Sequence, residues 1–400
     1  MGTGNIGNMI KISDIDSYLS QQGRFCLIDW LIAQNILYYA DYEAWRYGRN
    51  QYLIEAINLD SLTLQSLIDA TEGYCQDLNL ISEQQFYYRW NSDQRVLLTT
   101  SSNHQKNHQL GQHWLRPQDL PQLDLFMDNS AQMAENALLE ALSGRQFSSA
   151  QSLLHNLIEL NSESNRLGGY QDLINYGLHM QENPQVDTHS LGSEWQGLQQ
   201  EVLPLAQEIL GHDARDYVSF AWRRLGENMA GLAFDATNPE LHASAVFLAI
   251  PDYPALNDCL LADPELYLQP ILLERLAMGF HAMRQNEQAM IIWCLLMELA
   301  PEFAEQAIGR YPSHQIHDIW LDFWEQSDDW DYRLFPAYVL IQRPAIIHFL
   351  ENFNALKQPS NQAMVALLTK RLNNQDEISA RQALQEISPE LLSIYLDELR

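Results

Sequence analysis

RLAMGFHAMRQNEQAMIIWCLLMELAPEF, residues 275–303, is the stretch on which the fold turns. Leu276, Ala277 and Phe280 recur at helical spacing, a polar RQNEQ break follows, and Ala289, Trp293 and Leu296 resume the spacing before Pro301 closes the unit. Intervals of three and four residues line one face of a helix, so the stretch reads as two helices joined by a tight turn. A small residue lets two helices approach, and a bulky one fills the groove presented to the next pair.

The same design stands earlier in MAENALLEALSGRQFSSAQSLLHNLIELNSES, residues 133–164. Ala137 and Leu138 lie on its first helix, Phe147 at the turn, and Ala150, Leu154, Leu157 and Leu160 along the second. A third copy starts at LHASAVFLAIPDYPALNDCLL, where Tyr253 takes the place of Phe147. These stretches resemble tetratricopeptide repeats, over about a quarter of the chain. They depart from that pattern where Arg145 and Arg284 replace the turn glycine, and where the first copy ends in Ser162 rather than proline. WQGLQQEVLPLAQEIL and RDYVSFAWRRLGENM are helical without the signature. The expectation is therefore a mainly α protein, with residues 130–400 forming an irregular TPR-like α-solenoid.

Residues 1–98 read as a small α-rich domain that ends in a β-hairpin. Ser13 is a good helix N-cap, FCLIDWLIAQN and YADYEAWRYGR have helical apolar spacing, and Leu62, Leu67, Ile68 and Tyr74 continue it. FYYRW and RVLLTT are aromatic and β-branched, and the NSDQ between them is turn chemistry. Helices followed by a hairpin also describe a winged helix. The segment that would read DNA, residues 60–78, carries Asp60, Asp69, Glu72 and Asp77 and no Lys or Arg.

At 400 residues the chain is too long for one ordinary core, and 46% hydrophobic residues mark it as folded. The net charge is -29, with 15 Lys and Arg against 39 Asp and Glu after residue 120. Such a surface repels phosphate backbones and anionic bilayers, which argues against direct nucleic-acid or membrane binding. Cys26, Cys75, Cys259 and Cys294 are far apart in apolar surroundings and read as buried free thiols. The opening MGTGNIGNMIKISD lacks the apolar run of a signal peptide, so the cytoplasm is the expected location.

Residues 99–129 change abruptly to Ser, Asn, Gln and His and read as a polar linker. His104, His108 and His113 within it have no carboxylate or cysteine company and read as solvated. The same segment holds LRPQDLPQLDLFMDNS, residues 115–130. Its pentapeptide Gln122-Leu123-Asp124-Leu125-Phe126 resembles the bacterial sliding-clamp-binding motif, Gln, Leu, Ser or Asp, Leu, Phe, at all five positions. The resemblance implies that Gln122 bonds at the rim of the clamp's peptide pocket. Leu123 and Asp124 would then set an extended course, and Leu125 and Phe126 would fill the pocket. Two adjacent apolar anchors on an extended peptide carry a few kcal/mol of hydrophobic free energy, roughly, which suits that role. The opposing reading is structural: Asp128 or Asn129 caps the following helix, and Leu125, Phe126 and Met127 staple onto it.

No catalytic motif is present: no His-Glu-x-x-His, no phosphate-cradling glycine loop with Lys and Ser or Thr, no nucleophile elbow, no dinucleotide fingerprint. The pairs His314/His317 with Asp318, and Glu240 with His242, read as caps or solvated faces. WLDFWEQSDDWDYRLF places Trp320 and Trp324 four apart, which is core spacing, although an aromatic and acidic patch for a basic peptide has the same composition. Neither cofactor nor metal ion is expected. The expected function is a non-enzymatic protein-protein interaction adaptor, docking on the DNA sliding clamp through Gln122 to Phe126. A structural repeat subunit of a larger assembly and an acidic mimic of nucleic acid are the alternatives.

Overall fold

In the computed structural model, which describes residues 10–92, 95–117, 129–312, 314–326, 330–353 and 356–398, the chain is mainly α-helical with one small antiparallel sheet. It divides into two compact units, Met1–Asn228 with Ile250–Asp252, and Met229–Ala249 with Tyr253–Arg400. The helices between residues 129 and 228, expected with the C-terminal repeats, thus count with the first unit.

The first unit begins with α1 (Ile12–Gln22), β1 (Arg24–Cys26), α2 (Leu27–Ala33), α3 (Tyr39–Arg46), α4 (Ser61–Asp77) and β2 (Ile81–Gln84). Next come α5 (His104–Leu110) and β3 (Gln112–Leu115), and β3 is the central strand, antiparallel to both β1 and β2. Phe25 and Ser82 both stand opposite Trp114. Phe25, Trp30, Leu31, Trp45, Leu67, Cys75 and Trp90 form the core beneath this sheet.

As far as Pro117, then, the stretch expected as a linker belongs to the fold. Its polar residues are caps and turn anchors. Asn103 accepts the backbone N–H groups of Gln105 and Lys106 at the start of α5, and Asn107 Oδ1 accepts those of Thr100 at 2.7 Å (backbone) and 3.0 Å (hydroxyl). Leu110 and Trp114 are buried. The expected pairing of 86–90 with 95–100 is present around the Tyr88–Leu97 bridge, with Arg89 N to Val96 O at 2.9 Å and Leu98 N to Tyr87 O at 2.8 Å. The three-stranded sheet itself uses other segments.

The unit continues through α6 (Asn129–Ser143), α7 (Phe147–Leu160), α8 (Leu167–Glu182), α9 (Leu191–Gly197), α10 (Leu203–Leu210) and α11 (Ala214–Met229). Helices α6 and α7 form the antiparallel pair expected from residues 133–164. Phe147 is buried against α8, where Gly177 makes room for its ring: a Cβ there would meet three ring atoms at 2.4–2.5 Å.

The second unit holds α12 (Ala243–Ala249), α13 (Tyr253–Leu261), α14 (Pro270–Ala282), α15 (Asn286–Leu299), α16 (Pro301–Arg310), α17 (Gln315–Gln326), α18 (Phe335–Gln342), α19 (Ile347–Leu350), α20 (Pro359–Leu372), α21 (Ile378–Ile387) and α22 (Pro389–Asp397). Helices α12 to α16 pack in sequence, and α14 with α15 is the pair from which the sequence was read. In addition α15 packs on α18, and α18 on α20 and α22. Residues 289–297 of α15 and 335–341 of α18 are buried without interruption, so these two helices are enclosed on every side. Trp320 and Phe323 are buried, and Trp320 meets Phe335 edge-on at 4.9 Å, so the aromatic run ties α17 to α18 as core.

One device stops helices in both units. Asn35, Asn79, Arg145, Arg284 and Asn374 all have φ between 51° and 59°. After each, the next residue's N–H reaches five residues back, as in Gln146 to Ala141 and Gln285 to Phe280. This is the Schellman stop, usually made with glycine or asparagine. Arg145 and Arg284, where the repeat pattern carries glycine, adopt the conformation glycine would have supplied.

Candidate functional site

An extended assembly of buried polar groups lies in the first unit. On α3, Tyr39, Tyr42, Glu43 and Arg46 fall at positions 0, 3, 4 and 7 of one helical face. They meet Asp216, Ser219 and Arg223 of α11 and Arg145 from the α6–α7 turn. Tyr39 and Tyr42 donate their hydroxyls to the two Asp216 oxygens at 2.9 and 3.0 Å. Burial, with the Asp216 charge adding to it in Tyr39, keeps both phenols protonated far above their usual range.

Arg145, 2% exposed, holds the centre. Its Nε and Nη2 donate to the Asp216 carbonyl at 2.9 and 2.5 Å, Nη2 also reaches Ser219 Oγ at 2.6 Å, and Nη1 donates to the Tyr47 hydroxyl. The guanidinium lies 3.8 Å from the centre of the Trp90 ring. Glu43, buried beside it at 3.4 Å, is held from the other side by Arg223, which also donates to Asp252 at 2.6 Å. Every carboxylate in this cluster is engaged, so it offers no free base. Its chemistry is that of a buried network whose carboxylates are all paired and which fixes a unique packing.

Beside the cluster opens a cavity of about 570 Å³, within the usual range of ligand pockets. Arg24, Arg46, Arg95 and Arg215 line it, with Phe86 and Tyr88 among the aromatic walls. Asp29, Asp213, Asp216 and Glu140 line it as well. His113 also faces it, a buried residue whose Nε2 lies 3.2 Å from the Tyr87 hydroxyl. Burial and then the Arg24 charge push His113 down to about 3, so the ring is neutral at ordinary pH.

The residues singled out in the sequence do not converge. Gln122, Leu123, Asp124, Leu125 and Phe126 lie outside the described residues. His104 and His108 are exposed on α5 while His113 is buried in the sheet. Among the described residues no group of three His, Cys, Asp or Glu side chains is placed to hold a metal ion. In the second unit His314 stacks on His281 with ring centres 3.5 Å apart and on Tyr311 at 5.0 Å. Burial, then the neighbouring His281, lowers it to about 4.

His242 makes a Ser-His-Asp chain that the sequence reading missed, because Asp263 is 21 residues away. Its Nε2 is 3.0 Å from Asp263 Oδ2, its Nδ1 is 2.7 Å from Ser244 Oγ, and Arg275 donates to that same Oγ at 3.0 Å. Burial lowers the His242 pKa despite Asp263, which fits a neutral ring donating to Asp263 and accepting from Ser244. Ser244 is completely buried, so no substrate carbonyl reaches its hydroxyl. The chain is a support for the start of α12. Of the four free thiols, Cys26, Cys75 and Cys294 are buried as expected and Cys259 is half-buried; burial raises all four, Cys26, Cys75 and Cys259 to about 12 and Cys294 further.

No helix among the described residues is long and apolar enough to cross a membrane. Set against known protein families, curated proteins and solved structures, the chain finds no match in any of the three.

Proposed function

We propose that this protein is a non-enzymatic, cytoplasmic protein-protein adaptor that docks on a bacterial DNA sliding clamp through Gln122, Leu123, Asp124, Leu125 and Phe126. The observation that carries the proposal is the agreement of all five residues with the clamp-binding pattern. Their place in the chain supports it. They stand between Pro117, just after the central strand, and α6, so the peptide is tethered at both ends to folded elements. A peptide held in this way loses less freedom on binding than a free tail, and a clamp with several equivalent pockets adds avidity. The paired buried carboxylates, the inaccessible Ser244 and the thiols held protonated favour a binding role over catalysis. The acid-rich composition favours a protein partner over nucleic acid.

The test is calorimetric titration of a bacterial sliding clamp with the full chain and with its Leu125→Ala/Phe126→Ala variant. Micromolar binding, on the order of -8 kcal/mol, that disappears in the variant without a change in its unfolding midpoint is the expected result. Absence of binding by the intact chain refutes the proposal. Loss of fold in the variant identifies the two side chains as core instead.

A further inference from the structure

Four of the chain's 23 cationic residues, Arg24, Arg46, Arg95 and Arg215, line one cavity in a protein of net charge -29. A guanidinium carries five N–H donors, and enclosed donors without acceptors are costly. Among the described residues the Arg24 side chain donates no hydrogen bond, and its contact with Asp213 is a loose 3.7 Å. Arg46 donates only through Nη1, to Tyr42 at 2.5 Å and Asp216 at 3.4 Å. Arg215 donates only through Nη2, to Asp29 at 3.2 Å. The Nε–H groups of all three are enclosed and make no hydrogen bond, Arg215 Nε lying 3.6 Å from Asp216 Oδ1. Most of the donor capacity around this cavity is therefore unused by the protein.

The carboxylates of the same wall pair with these arginines but satisfy few of their donors, because each is shared or distant. Asp216 takes two tyrosine hydroxyls besides its contacts with Arg46 at 3.4 Å and Arg215 at 3.6 Å, Asp29 takes Arg215, Asp213 lies 2.8 Å from His212 Nε2, and Glu140 takes both contacts of Arg95. The last pair is half-exposed, so an incoming anion displaces it cheaply. Phe86 is 55% exposed, and the Arg95 guanidinium lies 4.2 Å from the centre of the Tyr88 ring, so an apolar body finds a wall beside the arginines.

We propose that this cavity binds a small organic anion, with its phosphate or carboxylate oxygens on Arg24, Arg46 and Arg215 and an apolar or aromatic body against Phe86 and Tyr88. Planar guanidinium groups match the oxygen spacing of both head groups, which is the chemistry the two share. The site is independent of the clamp-docking peptide.

Phenyl phosphate and benzoate, titrated separately into the full chain by calorimetry, test it and separate the two head groups. One of them is expected to saturate by about 10 mM, as a site of millimolar affinity or better does. Arg24→Gln, which breaks no hydrogen bond among the described residues, and Arg95→Gln, at the exposed rim, are each expected to weaken it, Arg24→Gln by about tenfold. Failure of both probes to bind by about 10 mM overturns the proposal. Binding that neither substitution weakens overturns it equally, because the anion then sits elsewhere.

Discussion

Replacing Arg145 by glycine sets two effects against each other. The left-handed backbone at φ 57° costs a residue with a Cβ about 1–2 kcal/mol, which glycine relieves. The same change removes a buried guanidinium with its bonds to the Asp216 carbonyl, Ser219 and Tyr47 and its contact with Trp90. Breaking a buried charge network from one side costs about 3–5 kcal/mol. Glu43 keeps Arg223 and Ser219, so the loss belongs at the lower end of that range. The greater unfolded-state freedom of glycine takes back about 0.5–1 kcal/mol of that relief, so the net expectation is a destabilisation of roughly 2–3 kcal/mol, read as a urea midpoint about 1 M lower by tryptophan fluorescence. Arg284 has the same backbone, φ 59°, with an exposed side chain. There the relief of strain and the greater unfolded-state freedom of glycine nearly cancel, and Arg284→Gly should change stability by less than about 1 kcal/mol. Equal losses in the two variants, or no loss at Arg145, would refute the reasoning that the buried network, not the turn, requires arginine at 145.

Gly177→Ala forces a Cβ into the Phe147 ring and should destabilise by about 1–3 kcal/mol in the same urea experiment, against a helix-propensity gain of at most about 1 kcal/mol. Gly73→Ala, mid-helix in α4 with nothing within 4 Å of the new Cβ, should instead raise the midpoint by an equivalent of about 0.5–1 kcal/mol. His113 is neutral in the fold down to about pH 3, while an unfolded histidine binds its proton near pH 6.5. The unfolded chain thus holds the extra proton between these values. The stabilisation from neutral His113 is complete above about pH 6.5 and is lost as pH falls toward 3, at up to about 1.4 kcal/mol per pH unit. His113→Gln should flatten the fall in urea midpoint between about pH 6.5 and 5; an unchanged slope would place the pH dependence in other groups.

Much of this architecture is legible in the order of residues. The α14–α15 pair was readable because Leu276, Ala277, Phe280, Ala289, Trp293 and Leu296 repeat at a local helical period, and the Trp320–Trp324 spacing marked core for the same reason. Local period does not reveal what distant segments do to a polar stretch. Residues 104–115 carry few apolar side chains, yet they fold as α5 and as the middle strand between β1 and β2, with Leu110 and Trp114 buried in the core. The cluster on α3 escaped in a similar way. Tyr39, Tyr42, Glu43 and Arg46 fit an ordinary amphipathic helix, and their partners stand about 100 to 180 residues away.

By itself the sequence determined the mainly helical class, the places where helices pair, the acidic character and the clamp-like pentapeptide, since each depends on neighbours within a few turns of chain. Tertiary structure alone decided that the Arg145 guanidinium is buried at the centre of a polar network, that Ser244 and His242 are sealed from solvent, and that four arginines line one cavity. Those outcomes depend on which distant groups exclude water from one another, and the cost of burying a charge or an unpaired donor exists only after the chain has brought them together.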